Sequence, residues 1–125
     1  MEPYSADGAK RKREFFGNIP AKILGVEIVL IATKEGLPIV STLPDGVDET
    51  RVAAMTATLQ SLAKSSVNEI GLGKFDQLYI KSSDGNLITL PAGPNALLTV
   101  FTTKDVRRLM LLDLKKTAEK IAELI

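Results

Sequence analysis

The chain has 125 residues, 45% of them hydrophobic and 25% charged, with 16 basic and 15 acidic side chains and a formal net charge of +1. One domain of this size buries about two thirds of the surface its unfolded chain exposes, so a real core is available and neither a disordered nor a membrane class is indicated. With no Cys and no His there is no disulfide framework, thiolate nucleophile, imidazole base or usual zinc site, and no catalytic residue, metal or cofactor is expected.

Residues 1–20 hold four basic and three acidic residues, and residues 21–125 hold twelve of each. A neutral body argues against nucleic-acid binding, which draws its affinity from phosphate neutralisation. No apolar run nears the roughly 18 residues of a spanning helix, and no signal-peptide layout opens the chain. A cytoplasmic protein without membrane insertion is expected.

Residues 1–9, with Pro3, Ser5 and Gly8, read as a mobile tail ahead of one domain over 10–125. Ala9 to Ile19 suits a short helix in which Lys10 to Arg13 lead into Phe15 and Phe16, and Pro20 ends it. Gly25 to Ala32 is a strand, apolar at every position from Ile28 to Ile31, as a strand covered on both faces would be. Lys34-Glu35-Gly36 turns the chain into Leu37 to Thr42, whose Pro38 cannot donate to a ladder and so marks an edge strand.

Asp48 to Ile70 reads as one helix of roughly 30 Å, with Asp48 as its N-cap. Val52, Met55, Leu59 and Leu62 recur at helical spacing, and this stripe is expected to hold the helix to the sheet. The rest of the circumference is unusual. Between Arg51 and Glu69 the only charge is Lys64, whereas an ordinary surface helix carries charge opposite its apolar stripe. The small-residue side with Ala54, Ala57, Thr58, Ser61 and Ser65 is therefore expected to meet a second protein, and Ala57→Glu or Ser61→Glu to weaken that contact without disturbing the fold.

Gly71 and Gly73 stop the helix. Gly71 to Lys74 is no phosphate loop, because a helix precedes it and Phe75 follows, where that motif needs a strand before and Ser or Thr next. Ser61-Leu62-Ala63-Lys64 matches the Ser-x-x-Lys of penicillin-interacting enzymes, but its companion elements are absent. Phe75 to Ser82 is a strand, Asp84-Gly85 a hairpin turn, and Asn86 to Ala92 and Ala96 to Thr102 complete a meander. Leu109 to Ile125 closes the chain as an ordinary amphipathic helix with Leu111, Leu114, Ala118 and Ile121 on its dry side.

The two most apolar strands, Gly25 to Ala32 and Ala96 to Thr102, should lie together at the centre. The strand from Phe75 to Ser82 is then an edge without proline, open to pairing with another chain. The expected fold is a three-layer α/β/α sandwich on a five-stranded antiparallel sheet, with the long helix on one face and the two terminal helices on the other.

Gly36-Leu37-Pro38-Ile39-Val40-Ser41, Val52-Ala53-Ala54-Met55-Thr56-Ala57-Thr58-Leu59, Asp84-Gly85 and Leu97-Leu98-Thr99-Val100-Phe101, in this order and spacing, resemble the roadblock family of dynein light chain type, with its bacterial and archaeal relatives. The Asn-Leu-Gly type turn common before that family's last helix is replaced here by Val106-Arg107-Arg108-Leu109-Met110. The resemblance implies a profilin-like roadblock fold and a homodimer, or a heterodimer with a sister roadblock protein. It further implies a non-catalytic scaffold or regulator that binds a Ras-like small GTPase, some bacterial relatives stimulating hydrolysis by reordering the GTPase's own loops.

On this reading the dimer interface comprises Ala54, Ala57, Thr58, Ser61 and Ser65 together with the edge Phe75, Asp76, Gln77, Leu78, Tyr79 and Ile80. Arg51, Ala53, Gln60 and Lys64 are the residues expected to touch the partner. Arg51, Arg107 and Arg108 are candidates for lending charge to a partner's active site. The alternative is a small-molecule sensor, because antiparallel sheets flanked by helices also hold ligand pockets.

Overall fold

The computed structural model describes residues 25–125 together with Asn18 and Ile23; the expected tail, and all but Asn18 of the helix expected over Ala9 to Ile19, lie outside the described residues. Five strands, β1 (Ile28–Thr33), β2 (Pro38–Ser41), β3 (Leu78–Lys81), β4 (Asn86–Pro91) and β5 (Ala96–Thr102), form one antiparallel sheet in the order β2-β1-β5-β4-β3. Among residues 25–125 two helices accompany them, α1 (Glu49–Ile70) between β2 and β3, and α2 (Arg108–Leu124) after β5. The sheet order is the one the apolar runs demand. β1 and β5 sit together near the centre, with Val29, Leu30, Ile31, Leu98 and Val100 wholly out of water.

Alternation along the strands divides the core in two. On one face Val29, Ile31, Ile88, Leu90, Leu98 and Val100 pack against Met110, Leu114, Ala118 and Ile121 of α2. On the other, Leu30, Ala32 and Leu97 meet Ala53 and Ala57 of α1, with Val52 at the margin. The large core belongs to α2 and the small one to α1. No helix among the described residues is long and apolar enough to cross a membrane.

The edges are unequal. β2 begins at Pro38 and its register with β1 slips between Ile31 and Ala32, leaving Ile39 opposite no residue. Proline and a bulge both discourage further pairing. β3 has neither. It is shorter than the sequence suggests, because the chain from Phe75 to Gln77 passes the sheet edge without pairing, Phe75 turning into the core. β1 likewise starts at Ile28 rather than Gly25.

Candidate interaction surface

The long helix is built as its sequence prescribes at both ends. The Asp48 carboxylate accepts from the backbone N–H groups of Thr50 and Arg51 at 3.1 and 3.2 Å, filling two of the donors that a helix start leaves open. Glu49 adds acid in the first turn and accepts from the Ser41 hydroxyl at 2.7 Å, tying the helix to β2. At the far end Gly71 adopts a left-handed conformation and donates to Asn68, while Leu72 donates to Val67.

Its rotation about its own axis is the reverse of the expectation. The buried positions are Ala53, Thr56, Ala57 and Gln60, while Met55 is 52% and Leu62 61% exposed, with Val52 and Leu59 half-buried at the flank. Val52, Met55, Leu59 and Leu62 therefore do not form the seam to the sheet; the small residues do. Gly36 explains why. A Cβ there would stand 3.0 Å from the Ala54 Cα and 3.4 Å from the Ala57 Cβ. The turn between β1 and β2 presses on the helix backbone itself, and only short side chains fit at that contact.

The polar residues on this inner row have partners. Thr56 donates to the Ala53 carbonyl at 3.1 Å, inside the helix. Gln60 reaches the sheet, its amide donating to the Thr89 hydroxyl at 3.0 Å while Thr99 donates to the same oxygen at 2.9 Å. All three side chains are buried, Gln60 at 4% exposure, and no buried side-chain polar atom among the described residues lacks a partner. Gln60→Ala should remove both packing and the amide, lowering stability by roughly 1–3 kcal/mol in urea denaturation. An unchanged midpoint would mean that Thr89 and Thr99 hold the strands without it.

The expected site residues fall into two groups. Ala54, Thr58, Ser61, Ser65, Arg51 and Lys64 are exposed on α1, and Tyr79 and Ile80 are exposed on β3, with Gln77 and Leu78 half-buried beside them. Ala53, Ala57, Gln60 and Phe75, expected at the surface, are buried within the protomer instead. Asp76 is exposed but already engaged, 3.5 Å from Lys115 of α2.

Met55 and Leu62, expected against the sheet, stand exposed instead. A signal for them was present in the uncharged circumference, which leaves an apolar row facing water if the small side is the one packed down.

A second apolar row lies on the sheet. Ile28, Phe101, Leu87 and Ile80 are successive register partners across β1, β5, β4 and β3, on the face that carries α1. None of the four is fully buried. The row ends at the unpaired β3 edge, and the outer face of α1 lies on the same side of the sheet.

A sheet layered between helices with one edge open places the protein in the three-layer α/β/α class. The sequence profile of the Roadblock/LC7 domain matches residues 21–102, and the chain belongs to that family. Uncharacterized protein MJ1340 of Methanocaldococcus jannaschii is 32% identical over 100 residues, covering 80% of this chain and 88% of that relative. Among solved structures, an MglB with tetrameric arrangement superposes with a TM-score of 0.79 at 19% identity over 99% of this chain and 96% of that one. The gliding protein MglB from Thermus thermophilus gives 0.78 at 18% identity over 99% and 97%. The layering is also that of profilin, as the 0.60 match to Acanthamoeba castellanii profilin IB at 14% identity, over 89% of this chain and 96% of that one, illustrates.

Proposed function

We propose that this protein is a non-catalytic platform that pairs with itself or with a sister roadblock protein and, as a dimer, binds a Ras-like small GTPase. The observation that carries the reading is the outer face of α1. Met55 and Leu62 stand more than half exposed on a helix whose only charge between Arg51 and Glu69 is Lys64. A soluble helix gains nothing by keeping that face dry unless something covers it.

The half-exposed sheet row and the β3 edge extend the same surface, which suits strand pairing through Leu78–Lys81 with the two α1 helices side by side. Ala54, Thr58, Ser61 and Ser65 lie at the flank of that contact, where small side chains permit close approach. Among the known structures that share the fold, one is an MglB in a tetrameric arrangement, which is in keeping with assembly through this surface.

Two measurements test the reading separately. Sedimentation velocity should give twice the protomer mass at micromolar concentration, and a monomer there would remove the homodimer and leave only pairing with a sister protein. Affinity capture from native cell extract should recover a small GTPase; recovery of unrelated partners alone would remove the second half.

A further inference from the structure

The inner row of α1 does not end with the sheet. After Ala53, Ala57 and Gln60, the next positions on that row are Lys64 and Asn68, and both line a cleft of about 680 Å³ rather than a packed interface. β3 leaves room for it. Its last partner pair is Leu78 with Thr89, so β4 runs on through Leu90 and Pro91 paired with β5 on one side and with no strand on the other. The helix overhangs this gap, α2 forms the opposite wall, and the connection through Lys74 and Phe75 closes the side.

The lining has two parts. Phe75, Leu90 and Ala118, all buried residues of the core, make an apolar floor. Above them stand Lys64, Lys74 and Lys115, with Asp76 and Glu119 as the carboxylates of the wall. Lys115 is paired with Asp76 at 3.5 Å. Among the described residues neither Lys64 nor Lys74 has a carboxylate within 4.0 Å.

Gly93 makes the back wall stiff. A Cβ there would lie 2.8 Å from the Ala122 Cβ, and its φ is +77°, so the β4–β5 turn sits wedged on α2. Lys64, the only charge between Arg51 and Glu69, thus faces this cleft on the row that carries Ala53, Ala57 and Gln60. Packing does not require a lysine there. Volume, apolar floor and a few converging polar groups are the attributes of a small-ligand site.

We propose that this cleft binds a small amphipathic anion, with Lys64 and Lys74 taking the acidic head and the Phe75 and Leu90 floor taking the apolar body. The site is independent of the outer face of α1. A fluorescence titration of the full chain with 1-anilinonaphthalene-8-sulfonate tests it, because that probe joins an anionic head to an aromatic body.

Saturable binding at one site per protomer is expected, weakened at least tenfold in Lys64→Glu/Lys74→Glu. Lys81→Glu/Lys116→Glu, the same change in charge on exposed residues outside the cleft, should bind like the wild type. So should Met55→Glu/Leu62→Glu. Decanoate should displace the probe and inorganic phosphate alone should not. The proposal is overturned if the cleft variant binds unchanged, if the surface pair weakens binding equally, if the α1 variant abolishes it, or if phosphate displaces the probe as well as decanoate does.

Discussion

Ala57→Glu is expected to destroy the fold, although alanine in the middle of a long helix is ordinarily among the safest positions to change. Ala57 is 7% exposed, packs in the cluster of Leu30, Ala32 and Leu97, and lies against the Gly36 turn. A carboxylate placed there would be buried among apolar side chains and pressed against the turn. Burying an unpaired charge, together with overpacking, costs roughly 4 kcal/mol or more. For a domain of this size that is a large share of the total stability. Ser61→Glu, one turn on but exposed, should change stability by no more than about 0.5 kcal/mol. Far-UV circular dichroism and urea denaturation of the two variants decide the matter; a shared wild-type midpoint would mean that α1 is rotated differently on the sheet.

The second large effect is on assembly. Met55→Glu/Leu62→Glu places two carboxylates on the outer face of α1, where the wild-type side chains are already more than half in water, so the protomer should remain folded with a near-normal midpoint. In a dimer that brings two such helices together, four carboxylates would have to be desolvated near one axis. Central apolar residues of an interface each contribute about 2 kcal/mol or more. The variant should therefore dissociate with a Kd raised at least about a hundredfold, a change of roughly 3 kcal/mol. Sedimentation equilibrium across a concentration series measures it directly. Dimers of unchanged affinity would move the interface off this face.

Much of the architecture is legible in the sequence because it rests on runs and punctuation. Ile28 to Ile31 and Ala96 to Phe101 are apolar at nearly every position, which suits only strands covered on both sides, and they are neighbours in the sheet. Pro38 marks one edge and Asp84-Gly85 turns β3 into β4. The rotation of α1 is not legible in the same way. Periodicity ranks faces by hydrophobicity, and by that measure Val52, Met55, Leu59 and Leu62 win.

Distance decides instead. Gly36 brings a backbone so close that larger side chains are excluded, and the Thr89–Thr99 pair on the sheet calls for the amide of Gln60 rather than for a methyl group. Neither is visible from the helix's own sequence; the first needs the placement of the β1–β2 turn and the second the register between β4 and β5, in which Thr89 faces Thr99. The same holds for Phe75. Its place in an apolar run suggests a strand residue, but its ring is drawn into the core before β3 begins.

The unequal depth of the two cores has a dynamic meaning. α2 is anchored by Met110, Leu114, Ala118 and Ile121 against seven strand residues, whereas α1 rests on two alanines, a threonine and one amide. Stability within a domain is not uniform, and segments with little buried apolar area open at the lowest free energy. The helix proposed to carry the association surface is thus the one with the smaller apolar core beneath it. A partner laid over Met55 and Leu62 would supply the second half of a core that the protomer leaves unfinished, so that assembly and the ordering of α1 become one thermodynamic event.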